Sequence, residues 1–164
     1  MTVWLTEQQQ KDWRAFLSVL ALLPEQFSRD LQVSADLTFG DYEIFVRLSE
    51  RENRSMRMSE LADLTLASRS RLTHQIDRLE SQGFVERRPC EDDKRGSWAT
   101  LTEKGWAKLV ATAPAHVDSV REHLVDVLTP EEFETLGKLS RKILSSLDAE
   151  AQKKSLSDKG NCLQ

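Results

Sequence analysis

The chain has 164 residues, 39% of them hydrophobic and 30% charged, with a formal net charge of −4. That composition excludes a wholly disordered chain and a collagen-like rod, and no apolar run approaches the roughly 20 residues a membrane-spanning helix needs. Two cysteines, Cys90 and Cys162, are too few for a disulfide framework or a cysteine-type zinc cluster, and the start Met1-Thr2-Val3-Trp4 reads as no secretory signal, so a cytoplasmic location is expected.

Thr6 with Gln9 forms a capping box, and a helix follows. Trp13, Phe16, Leu17, Leu20, Leu23, Phe27 and Leu31 recur at spacings of three and four as one apolar stripe. Pro24 falls inside it, and a kink or a split is expected there. Thr38 is the next N-cap, with Leu37 and Tyr42 at the staple positions; this helix carries Ile44, Phe45 and Leu48 and ends near Glu50. Arg51–Arg54 reads as a loop. Ser59 caps a short helix with Leu61, Ala62 and Leu64 inward. After a brief connection at Thr65–Ala67, Ser68 opens a longer helix with Leu72, Ile76 and Leu79 on its buried face and Gly83 as a left-handed C-cap.

Beyond Gly83 the period changes. Phe84–Cys90 and Trp98–Thr102 read as two strands joined by the charged turn Glu91–Ser97. Trp98 is expected to pack inward. Thr102 then caps a long helix in which Trp106, Val110, Ala113, Val117, Val120, Leu124 and Val127 alternate steps of four and three, a coiled-coil-like seam. Pro114 lies within it, so a bend is expected. Thr129-Pro130-Glu131-Glu132 starts a final helix using Phe133, Leu136, Leu139, Ile143 and Leu147. The polar residues 149–164 read as a disordered tail.

The fold class is therefore mainly α with a small β-hairpin wing: a winged helix-turn-helix over residues 38–105, flanked by long helices at 1–37 and 106–148. Charge agrees with a polyanion-binding middle, since residues 1–53 carry net −4, residues 54–108 net +2 and residues 109–164 net −2. The second helix of such a unit fits a major groove. Rotation from Leu72 puts Ser70, His74, Asp77 and Ser81 opposite the core, with Arg71, Thr73, Gln75 and Arg78 on the flanks and Arg69 at the amide-rich helix start. Asp77 beside phosphates costs binding and is expected to pair with an arginine. At the hairpin tip, Arg95 reads as a minor-groove residue beside Lys94, with Asp93 orienting Arg78 or Arg88; a charged solvent turn is the plainer reading of the same residues.

Met58-Ser59-Glu60-Leu61-Ala62, Asp77-Arg78-Leu79-Glu80, Phe84-Val85-Glu86-Arg87, Asp93-Lys94-Arg95-Gly96 and Leu101-Thr102-Glu103-Lys104-Gly105 together resemble the MarR family of bacterial transcription regulators. The resemblance extends over about residues 6–148. It implies a homodimer whose first and last two helices interlock. It also implies a double-stranded pseudo-palindromic operator, most often under repression, and release by a small phenolic or aromatic ligand. Ser68, Arg69, Ser70, Arg71, Thr73, His74 and Gln75 take recognition-helix roles by that resemblance, Arg95 the wing-tip role and Asp93 the supporting one. Trp13, Phe16, Tyr42, Trp106 and His116 are the candidate effector-pocket residues, chosen as large or polar groups where helices should meet.

Two other classes compete. A winged-helix module for protein contact suits the acidic total charge but not the basic, hydroxyl-rich helix face. An enzyme would need more than the chain offers. His116 and His123 lie two helical turns apart, too far to share a metal without a third element, and no Gly-rich phosphate loop, nucleophile elbow or His-Glu-x-x-His run occurs. No catalysis, metal or cofactor is expected. Cys90 reads as a small buried or half-buried apolar residue, and no role follows for Cys162.

Overall fold

The computed structural model describes residues 1–65, 68–90 and 96–160, with 148–160 as backbone. The chain divides into two units, Met1–Ser119 and Val120–Gln164.

In the first unit, helix α1 (Glu7–Ala35) opens on Thr6, whose hydroxyl accepts the Gln9 N–H while the Gln9 side chain accepts the Thr6 N–H. α1 runs unbroken through Pro24, so of the kink or split expected there the split does not occur. The proline φ is itself helical, and the carbonyl it frees lies on an exposed turn. Only Phe27, Leu31 and Ala35 of α1 are buried; Trp13, Phe16, Leu17 and Leu20 stay about half exposed. α2 (Phe39–Ser49) contributes Tyr42, Ile44, Phe45 and Leu48 to the core.

The sequence reading missed strand β1 (Ser55–Arg57), which is only three residues long. α3 (Met58–Leu64) follows it directly, with Arg57 at the cap position and no side-chain cap bond, so Ser59 is not the cap. α4 (Arg69–Ser81) begins at Ser68, whose hydroxyl accepts the Arg71 N–H at 3.3 Å. Leu72, Ile76 and Leu79 are its buried residues, as their spacing predicts. β2 (Val85–Pro89) and β3 (Ser97–Leu101) complete an antiparallel sheet of order β1-β3-β2. Met56, Ala99, Val85 and Leu101 face the core. The opposite face carries the row Arg57–Trp98–Arg88, so Trp98 points outward, under the Arg57 guanidinium at 5.6 Å. Strand alternation decides this: with Ala99 and Leu101 inside, Trp98 must be outside.

α5 (Glu103–Val120) contains Pro114 and buries Gly105, Leu109, Thr112 and Ser119. That line is displaced by one residue from the heptad seam, which leaves Val110 and Val117 about half exposed. The junction of wing and α5 is close-packed. Thr102 donates its hydroxyl to the Gly83 carbonyl at 2.8 Å and accepts the Gly105 N–H at 3.0 Å. Gly83 holds φ +75°, a left-handed conformation that favours glycine. A Cβ on Gly105 would overlap the Phe84 carbonyl.

In the second unit, a π-helical turn at Arg121–Val125 is closed by the Asp126 N–H donating to the Arg121 carbonyl at 2.8 Å. Its i→i+5 bond is invisible to a heptad count, which ran on to Val127. α6 (Pro130–Gly160) starts at Thr129, which exchanges bonds with Glu132 at 2.9 and 3.3 Å. Phe133, Leu139, Ile143 and Leu147 are exposed on it. The helical backbone continues beyond residue 148 to Gly160, into the stretch read as a disordered tail.

Candidate nucleic-acid interface

The exposed side of α4 is built by what its other sides are bonded to. The core side holds Leu72, Ile76 and Leu79. One flank is tied to the wing: Arg87 on β2 donates to Glu80 through Nε at 2.9 Å and Nη2 at 2.7 Å, and to Asp77 at 2.7 Å. The Arg87 backbone N–H also donates to Glu80, at 3.0 Å. Asp77 is therefore neutralised by an arginine, as its sequence position required. The guanidinium beside Glu80 holds that carboxyl below its usual range, and Arg87 is correspondingly raised.

The other flank rests on the first turn of α2. Arg78 donates to Asp41, a carboxylate at 0% exposure. Asp41 also accepts the Thr38 N–H at 2.9 Å and the Thr38 hydroxyl at 2.7 Å. Gln75 is half-buried, and its amide lies 2.5 Å from where a Gly40 Cβ would stand. What remains outward is Ser70, Arg71, Thr73 and His74, all exposed, with Arg69 and Ser68 at the helix start. Ser68 spends its hydroxyl on the cap and on Ser70 at 3.3 Å, and Thr73 donates to the Arg69 carbonyl at 2.8 Å. Arg69 and Thr73 face a cleft shared with Arg57, Ser59, Arg87 and Ser97 between α4 and the wing. Asp93, Lys94 and Arg95 lie outside the described residues, as does Cys162. Cys90 is buried, and its N–H donates to the Gly96 carbonyl at 3.0 Å.

The candidate effector residues do not converge on one place. Tyr42 and His116 do meet, with ring centroids 4.3 Å apart. Phe27 at 5.8 Å and Phe39 at 5.9 Å complete a cluster around the imidazole; Phe27 was read only as part of the α1 stripe, and neither was among the effector-pocket candidates. Burial lowers His116 from its usual range and raises Tyr42, to which the Glu43 charge adds. His116 Nδ1 is buried without a hydrogen-bond partner. Trp13 and Phe16 pair with each other at 6.2 Å, well toward the other end of α1 from Phe27. Trp106 packs under the Arg54 guanidinium at 4.4 Å, which itself pairs with Glu103 at 2.9 Å.

A family model described as the MarR family matches residues 37–97. Sco3205 of Streptomyces coelicolor, a MarR family transcriptional regulator crystallised in complex with DNA, is 41% identical over 90% of this chain and 92% of its own, with a TM-score of 0.85. The chain belongs to the MarR family. AbsC, a second MarR family regulator of that organism, is 47% identical over 90% of this chain and 99% of its own, with a TM-score of 0.82. Among curated relatives, the transcriptional repressor MprA of Escherichia coli is 35% identical over 63% of this chain; the match spans 58% of MprA. The Leu101-Thr102-x-x-Gly105 run that suggested the MarR family is the segment that closes the wing onto α5. Asp77 and Glu80 of the second motif are the carboxylates that hold Arg87.

Proposed function

We propose that this chain is a cytoplasmic transcription regulator of MarR type, a repressor without catalytic activity that binds a pseudo-palindromic DNA operator as a homodimer. The observation that carries the reading is the division of α4. Its core side is buried, and it is tied to the wing through Asp77 and Glu80 and to α2 through Arg78, which leaves a hydroxyl- and arginine-bearing face, Ser70, Arg71, Thr73 and His74, with Arg69 at its start, for a major groove. Arginine reads guanine bidentately, and Ser, Thr and His serve phosphates or base edges. In this reading Arg95 and Lys94 at the wing tip contact the flanking backbone, supported by Asp93. The likeness to Sco3205, seen in complex with DNA, supports the same role.

Dimerisation is supported by apolar side chains left open on two helices of the first unit: Trp13, Phe16, Leu17 and Leu20 on α1, and Val110 and Val117 on α5, are exposed, and clustered exposed apolar groups commonly mark an interface. The effector part of the reading rests on the His116, Tyr42, Phe27 and Phe39 cluster. A small aromatic or phenolic compound that binds one dimer geometry better than the other shifts the DNA-competent population by that difference alone.

The test is selection of bound duplexes from a random pool, followed by a salt titration of the winning site. Enrichment of half-sites about one helical turn apart is expected. About 6–10 phosphate contacts give log K against log[salt] a slope of roughly −5 to −9. Absence of enrichment, with no binding at low salt, would hand the fold to a protein-contact role instead.

A further inference from the structure

Arg78 sits on the recognition helix next to residues that face the groove, and charge counting alone places it on DNA. Its side chain is 42% exposed beside Ser70, Arg71 and His74, yet one guanidinium nitrogen is committed to a partner inside the fold. Asp41, its partner, is wholly buried and has no oxygen to spare: one takes the Arg78 guanidinium, the other takes both donors of Thr38. An arginine withdrawn from that carboxylate to reach a phosphate would leave a buried charge without its counter-charge. Gln75, one turn earlier on the same flank, lies on Gly40 of the same α2 turn.

The first turn of α2 is itself held from behind. The Phe39 N–H donates to the Ser28 hydroxyl of α1 at 3.0 Å, and the Phe39 ring lies 5.6 Å from Phe27 of α1 and 5.9 Å from His116 of α5. Thus α4 is tied on one flank to the wing through Arg87 and on the other, through Asp41, to the turn that α1 and α5 support. Two ties on opposite flanks fix the rotation of a helix about its own axis, and that rotation decides which side chains reach base edges.

The geometry points to Arg78 as a positioning residue that sets the rotation of α4 through the buried Asp41 carboxylate, without contacting DNA itself. This rests on the DNA-binding reading above. It makes the Thr38–Tyr42 turn the mechanical link between the α1 and α5 aromatic cluster and the DNA-reading face.

The two roles differ in measurable ways. Loss of a phosphate contact weakens binding to all sequences evenly and lowers the salt slope by about one. Loss of positioning weakens operator binding, by between about twofold and thirtyfold for coupling of this kind, and leaves non-specific binding and the salt slope unchanged. The experiment measures operator and non-specific duplex binding across a salt series for the full chain and for R78Q, D41N and the double variant. D41N keeps a carbonyl acceptor for Thr38, and circular dichroism at each condition confirms folding. Positioning predicts that R78Q and D41N lose operator affinity alike, at unchanged slope, and that the double variant is no worse than either single one. A slope lowered by about one in R78Q, or a D41N that folds and binds the operator as wild type does, overturns the assignment. If D41N does not fold, the R78Q slope decides by itself. Failure of the wild-type chain to prefer any operator would instead remove the DNA-binding reading, a result distinct from both.

Discussion

Replacing Arg87 with methionine keeps the aliphatic bulk of the side chain and removes the guanidinium that ties the wing to α4. Three charge-assisted contacts disappear, two to Glu80 and one to Asp77, at 2.7–2.9 Å. Buried contacts of this kind are worth about 1.5–3 kcal/mol each, whereas exposed pairs are worth about 0.2–1 kcal/mol. The three side chains are 33%, 36% and 47% exposed, so the exposed-pair values apply with only modest enhancement. The expected cost is about 1–2 kcal/mol in all, or roughly 2–8 °C in Tm for a chain of this size. Melting must be followed at one fixed protein concentration, because a dimer's Tm depends on it. The difference should also depend on pH in one direction. Glu80 has a lowered pKa in the fold, so its contribution is present above its unfolded pKa near 4.5 and is lost as pH falls through the lower folded value. The gap between wild type and R87M should thus be full at neutral pH and close below 4.5. Two bare carboxylates left on α4 should also weaken operator binding most at low salt. Melting within about 1 °C of wild type at neutral pH, or a gap that persists unchanged in acid, would refute the reasoning.

Three further outcomes are expected. H116F should flatten a pH dependence: the folded chain resists protonation of the buried imidazole, so wild-type stability is full above 6.5 and falls as pH drops below it, while urea midpoints of the variant lose that step; equal pH dependence of the two proteins would show that His116 is not its source. G105A places a Cβ against the Phe84 carbonyl, which no side-chain rotation relieves, and should cost about 1–3 kcal/mol in urea unfolding, so an unchanged midpoint would mean the wing junction has slack. R71A should relax base preference at one operator position by about 1–3 kcal/mol, whereas R95A should weaken all duplexes evenly, and sequence-blind losses in both would contradict direct readout by Arg71.

Much of this fold is written in short-range signals. The boxes at Thr6, Thr38 and Thr129, the cap at Ser68 and the left-handed Gly83 each involve residues within about four positions, where backbone geometry alone brings donor to acceptor. The buried line Leu72, Ile76, Leu79 follows from helical period and nothing else. The outward position of Trp98 was also legible, by alternation from Leu101, but the bulk of the indole argued the opposite way. Asp41 showed its place at the third position of the α2 capping box, though nothing nearby announced the arginine it would receive.

The sequence by itself determined where most helices begin, which helix carries an outward basic and hydroxyl-bearing face, and to which family the motifs point, because those depend on neighbours along the chain. Only the tertiary structure decided which charges on that helix are free. Arg78 finds Asp41 from 37 positions away, and Asp77 and Glu80 find Arg87 across a change from helix to strand. The His116 cluster likewise joins rings from three helices. Burial chooses the first partner, since a charge taken from water must meet its opposite inside, and the lie of β2 beside α4 chooses the partly exposed second group; both are properties of the assembled fold.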